Sequence, residues 1–167
     1  MKKFLYISLL LTVSMSGCHK NPISPTEECC DSEAVAININ AQMGLWLPTV
    51  FSPNGDGTND TFTIKWQNIS TFGMTVLRNG LPVFKSNALE TEWDGTINGS
   101  TPKKGVYVVA VSGKFETGLA FSQLTKIYLA TDCLPTDEAL PKCVFGDQLT
   151  NRGLTGVPTS DPVANCN

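Results

Sequence analysis

The chain has 167 residues, 16% of them charged and 41% apolar, with a formal net charge of −3. A balance this mild leaves no basic patch to neutralise phosphates, which excludes nucleic acid as the expected partner, and no acidic run is long enough to act as a disordered tail. The length suits one compact domain of roughly 90–130 residues with irregular flanks.

At the front, Met1-Lys2-Lys3 is a short positive segment, Phe4 to Val13 is apolar, and Met15-Ser16-Gly17-Cys18 follows. That order is a secretory signal peptide, and its apolar stretch is shorter than the roughly 20 residues a bilayer span needs. Small residues just ahead of a cysteine resemble a bacterial lipoprotein signal. In that reading residues 1–17 are removed and the Cys18 thiol carries diacylglycerol, so that two or more acyl chains anchor the protein to the outer membrane. Residues 18–33 hold Pro22 and Pro25 among polar side chains and predict a tether.

Val35, Ile37, Ile39 and Ala41 alternate with other residues, the mark of a half-buried strand. A strand-like run from Leu45 to Phe51 is interrupted by Pro48, which favours an edge. The loop 52–60 leads into Phe62, Ile64 and Trp66, which alternate with polar residues. Met74 and Val76 belong to the next strand, and Asn79-Gly80 between apolar runs predicts a hairpin. Trp93-Asp94-Gly95, Asn98-Gly99 and Pro102 to Gly105 read as turns. Val106 to Val111 is almost continuously apolar and predicts a strand buried on both faces. Ser112-Gly113 and Thr117-Gly118 read as turns around Phe115, and Phe121, Leu124, Ile127 and Leu129 as a last strand ending at Ala130. Short strands separated by Gly, Asn and Pro turns argue an all-β sandwich. Residues 131–167 are rich in Pro, Gly, Asp, Thr and Asn and predict an irregular, disulfide-bearing C-terminal extension.

Two blocks carry a resemblance. The first is Leu47-Pro48-Thr49-Val50-Phe51-Ser52-Pro53-Asn54-Gly55-Asp56-Gly57-Thr58-Asn59-Asp60-Thr61-Phe62. The second is Trp93-Asp94-Gly95-Thr96, with Asn98-Gly99 and Gly105-Val106-Tyr107-Val108-Val109 behind it. Together, over about residues 45–130, they resemble the gliding-motility-associated C-terminal domain of Bacteroidota. The resemblance implies an immunoglobulin-like antiparallel β-sandwich over 34–130. It also implies the role such domains have in large exported proteins, a type B sorting signal for type IX secretion. The chain departs from the family pattern at Leu77-Arg78-Asn79-Gly80-Leu81, where an Asn-Arg-Trp-Gly-like segment is usual, and in carrying residues 131–167 beyond the domain.

Besides Cys18 the cysteines are Cys29, Cys30, Cys133, Cys143 and Cys166, an odd number. An exported chain meets an oxidising compartment, so these are disulfide candidates with at least one left over or paired to another chain. Adjacent Cys29 and Cys30 are poor partners for each other. Zinc would need C-x₂₋₄-C pairs with histidine nearby, and the one histidine is His19 beside the anchor. Asn54, Asp56, Asn59 and Asp60 gather oxygens that could hold Ca²⁺; the same Asx and Gly pattern also forms plain turns. With His19 in the tether no Ser or Cys nucleophile has a base, so no enzyme and no small-molecule substrate are expected. Trp46, Trp66, Trp93 and Tyr107 offer either a sugar platform or core, and core is favoured for Trp66 and Trp93.

The reading is a non-enzymatic outer-membrane lipoprotein, at the cell surface or facing the periplasm. Its sandwich would be a docking or structural module that binds envelope proteins of secretion, adhesion or gliding. Two alternatives stand beside it: type IX secretion cargo recognised through the sorting-like domain, and a calcium-dependent glycan-binding surface lipoprotein.

Overall fold

The computed structural model describes residues 36–40, 42–132 and 143–164. Among these the chain is all-β, with 3₁₀ turns at Gly146–Gln148 and Pro162–Ala164. The strands are β1 (Ala36–Asn40), β2 (Met43–Trp46), β3 (Val50–Phe51), β4 (Lys65–Gln67), β5 (Ile69–Arg78), β6 (Leu81–Ser86), β7 (Gly105–Phe115), β8 (Ala120–Leu129), β9 (Leu149–Thr150) and β10 (Gly153–Leu154). They make a three-stranded sheet, β1-β2-β4, a five-stranded sheet, β3-β8-β7-β5-β6, and the β9–β10 hairpin.

Pro48 marks the place where the chain changes sheets. β2 pairs with β1 and β4, whereas β3, two residues past the proline, runs parallel to β8 at the edge of the larger sheet. A proline has no N–H to continue the first ladder, so the break and the crossover coincide. Leu45 and Leu47 on one side, and Met74, Val76, Tyr107, Val109, Val111, Ile127 and Leu129 on the other, share a single buried core.

The turns obey their residues. Asn79 and Gly80 sit at φ 52° and 78°, and Asn98 and Gly99 at 52° and 73°. Positive φ at both central positions is the hairpin turn that suits twisted strands, and Asn-Gly reaches it at least cost. The first of these turns joins β5 to β6.

Two expectations need correction. β7 is not buried on both faces: Tyr107, Val109 and Val111 face the core, while Val108 and Ala110 on the opposite face are only half-buried. Leu124, on the same outer face, is 65% exposed. Ser112-Gly113 is not a turn; β7 runs straight through to Phe115 and pairs with β8 along its length. Gly113 is there for space, since a Cβ would lie 2.0 Å from the Thr71 carbonyl oxygen, beside the bulge where β5 shifts register. The sequence left open whether the extension packs on the domain, and residues 143–164 do. They fold back on the domain, and Val144, Phe145, Leu149 and Val163 are buried there.

Candidate functional site

The two sequence blocks meet in space. Phe62 and Trp93 exchange backbone hydrogen bonds, Phe62 N–H to the Trp93 carbonyl at 2.7 Å and the reverse at 3.3 Å. The Trp93 ring lies 5.4 Å from Phe51, 5.1 Å from Tyr107 and 6.0 Å from Phe84, measured between centroids. Its indole N–H donates to the Thr96 carbonyl at 3.0 Å. Asp94 accepts the Thr96 N–H at 2.9 Å and its hydroxyl at 2.8 Å. The Thr96 backbone bond, foremost, holds the Asp94 carboxyl below the usual aspartate range. Gly95 takes φ 82° with Leu129 Cδ1 only 2.5 Å from where a Cβ would stand. The motif is therefore a rigid corner that pins the chain after β6 to the start of β4. At the far end of the ring cluster, the Arg78 guanidinium lies 4.9 Å over the Tyr107 ring and donates to its hydroxyl at 2.6 Å. Burial, the largest influence, pushes the Tyr107 pKa up, and Arg78 opposes it.

The Asn54–Asp60 loop is held by its own carboxylates. Asp60 accepts N–H bonds from Asn54 at 3.0 Å, Gly55 at 2.6 Å and Gly57 at 2.7 Å. The Gly55 bond leads the causes that lower the Asp60 pKa. Asp56 accepts the Thr58 N–H at 2.8 Å and the Asn54 amide at 2.9 Å. Each acidic oxygen of the loop thus faces a donor of the loop, the bonding of linked Asx turns. Among the described residues no three His, Cys, Asp or Glu side chains gather as a metal site.

Asn59 does something else. At φ 52° it turns its amide away from the loop toward the tail. Its oxygen accepts the Asp147 N–H at 2.9 Å, and its nitrogen donates to Asp161 at 3.1 Å. Asp161 is wholly buried and also accepts from the Ser52 hydroxyl and, at 2.9 Å, from the Val163 N–H. No sequence signal predicted this contact, because both loop residues read locally as turn formers.

Of the remaining site residues, Cys18, Cys29, Cys30, Cys133 and Cys166 lie outside the described residues. Cys143 is buried and disulfide-bonded. Trp46 is only 5% exposed, covered by Val144 and Leu149 of the tail, so it presents no platform for sugars. Trp93 and Tyr107 are core and Trp66 is half-buried.

The comparison with protein families spans the same two blocks. Residues 45–123 match the CHU_C type IX secretion signal domain. The match covers the Asn54–Asp60 loop, the Trp93 corner and the strand β7, the same blocks that carried the resemblance in the sequence. It stops within β8, so residues 143–164 lie beyond the matched stretch. A search of curated proteins gave no match.

Proposed function

We propose that this chain is cargo of type IX secretion, and that its signal domain is the element by which the translocon recognises it. The observation that supports this is the match over residues 45–123. Of the three readings the sequence left in competition, envelope docking module, exported cargo and calcium-dependent glycan-binding lipoprotein, that match favours cargo. The domain is suited to the role physically. A signal read in folded form must hold one shape, and the Phe51, Phe62, Trp93 and Tyr107 cluster ties the termini of several strands into one block. We read its paired sheets as an immunoglobulin-like sandwich. The delivered protein belongs at the cell surface, where a lipid on Cys18 would retain it at the outer membrane.

The test is protease shaving of intact native cells, followed by mass spectrometry, in parental and type IX-deficient strains. Cleavage in the parental strain alone is the expected result. Cleavage in both strains would show delivery by another route, and protection in both would show a protein that faces the periplasm; either outcome overturns the cargo reading.

A further inference from the structure

The outer face of the five-stranded sheet carries a groove of about 560 Å³, within the roughly 300–1,000 Å³ of clefts that hold small ligands. Strand alternation puts every second residue of β5, β6, β7 and β8 on this face. Two cross-strand rows line the groove. One is Lys85, Thr75 and Ala110, and the next is Gly73, Ser112 and Ser122. Asn87 closes the second row just past β6, with its Oδ1 3.5 Å from where a Gly73 Cβ would stand.

Gly73 is the residue of the floor that the fold does not require. A glycine inside a strand weakens it, and marks a bulge or the close approach of a ligand or another backbone. Gly44 is required by the Trp46 ring, which a Cβ would meet at 2.2 Å, and Gly113 by the Thr71 carbonyl oxygen at 2.0 Å. At Gly73 the nearest atoms would be the Asn87 oxygen and, at 3.9 Å, two oxygens of Ser112, all ordinary contacts, and its φ is not left-handed. β5 also pairs with β7 in unbroken register on both sides of it. The missing side chain therefore serves neither packing nor backbone; it gives the groove its depth.

The lining sets the chemistry. Among the described residues, no side chain of Thr75, Lys85, Asn87, Ser112 or Ser122 hydrogen-bonds another protein group. By contrast, Asp56, Asp60 and Asp94 are satisfied by nearby backbone N–H groups. The hydroxyls and the amide each donate and accept, which matches a ligand made of hydroxyl groups. Lys85 alone of the lining residues is charged, so the ligand that complements the groove is an anion. Gly73 and Ala110 leave a flat, apolar floor for the C–H face of a sugar ring. We propose that this groove binds an anionic sugar chain, with its acid group on Lys85 and its hydroxyls on Thr75, Asn87, Ser112 and Ser122. The site uses neither calcium nor the tryptophans, and it does not depend on the route by which the protein is exported.

The experiment is calorimetric titration of the full chain, purified in mild detergent at low salt. The probes are oligogalacturonate and a sulfated dextran oligosaccharide, with neutral maltooligosaccharide and polyglutamate as comparisons. Expected is saturable binding of an acidic oligosaccharide, and the tighter of the two identifies the acid group. Maltooligosaccharide lacks the charge and polyglutamate lacks the hydroxyls, so each binds at least about tenfold more weakly. Gly73→Val fills the floor and weakens the acidic probe about tenfold or more, while its melting temperature stays at or above that of wild type, because valine suits a strand. Asn87 and Lys85 are exposed, so their variants keep the fold. Asn87→Asp sets a carboxylate in the groove and abolishes binding of the acidic probe, and Lys85→Gln removes its preference over maltooligosaccharide. Binding of neither acidic oligosaccharide overturns the proposal, and so does equal binding of polyglutamate. Undiminished binding by Asn87→Asp, or by a Gly73→Val variant that melts no lower than wild type, overturns it as well. If Gly73→Val melts lower, Asn87→Asp alone decides.

Discussion

Truncating Trp93 to alanine tests whether the corner that joins the two sequence blocks holds the domain together. The ring is 1% exposed and touches Phe51, Phe84 and Tyr107. Removing a buried aromatic of this kind costs about 3–5 kcal/mol, as lost transfer energy plus an unfilled cavity. The indole bond to the Thr96 carbonyl adds about 0.5–1 kcal/mol, because Thr96 is partly exposed and water replaces the donor. A total of about 3.5–6 kcal/mol is a large part of the roughly 5–15 kcal/mol that stabilises a domain. The assay is urea denaturation followed by far-ultraviolet circular dichroism. With a slope of about 2 kcal/mol per molar urea, the midpoint falls by roughly 2–3 M. Trp93→Phe keeps a ring against the same neighbours and loses the N–H bond and part of the volume, so it falls between wild type and alanine. A midpoint shift under about 0.5 M for the alanine variant would refute the claim that this ring cluster holds the corner. Equal shifts for the two variants would refute the division between packing and hydrogen bond.

The acid limb of stability is set in part by Asp60 and Asp94, whose folded pKa values lie below the unfolded value near 3.8. Their contribution is complete above that value and is lost as pH falls through the lower, folded ones; Asp60→Asn therefore flattens the loss of the unfolding midpoint between neutral pH and acid, and an unchanged acid profile would count against the loop bonding. Gly113→Ala forces a Cβ onto the Thr71 carbonyl and destabilises by at least about 2 kcal/mol. Gly118→Ala, with φ 85° and open space around it, costs only the left-handed strain of about 1–2 kcal/mol, and thermal melts of the pair rank them. Arg78→Ala removes the cation that opposes the effect of burial on Tyr107, so the phenol titrates at still higher pH by ultraviolet difference absorbance; a fall in that pKa would contradict the assigned contact. Cys18→Ser abolishes metabolic labelling with a radioactive fatty acid, and retained label would place any lipid elsewhere.

Much of the fold was legible because its signals are local. Asn79-Gly80 and Asn98-Gly99 each encode a turn in adjacent residues, and the structure places both at the positive φ that the pair favours. Pro48 encodes the break between β2 and β3, and β3 is indeed an edge strand. Val106 to Val111 was legible as a strand but not as a one-sided strand, since valine serves a half-covered outer face as well as a core. Ser112-Gly113 misled for a similar reason. Glycine marks both a turn and a close approach of backbones, and only the position of Thr71 across the ladder separates them.

The packing of residues 143–164 was not legible, and the reason is distance along the chain. Ser52 and Asn59 meet Asp161 at separations of 109 and 102 residues. Within its own neighbourhood Asn59 resembles the other Asx residues of the loop, so it was counted with them as an oxygen donor for calcium. Folding divides that set: Asp56 and Asp60 collect the loop's own N–H groups, and Asn59 leaves to receive the Asp147 N–H and bind Asp161. Tail composition is silent on this packing, since sparse apolar residues among Pro, Gly and Asp suggest no core of their own. Phe145, Val144 and Val163 need none, because each fills space beside Val50, Tyr128, Ala130 and Trp46 of the earlier strands. A segment that completes another unit's surface contains only half of a packing pattern, and the other half lies in the strands that precede it.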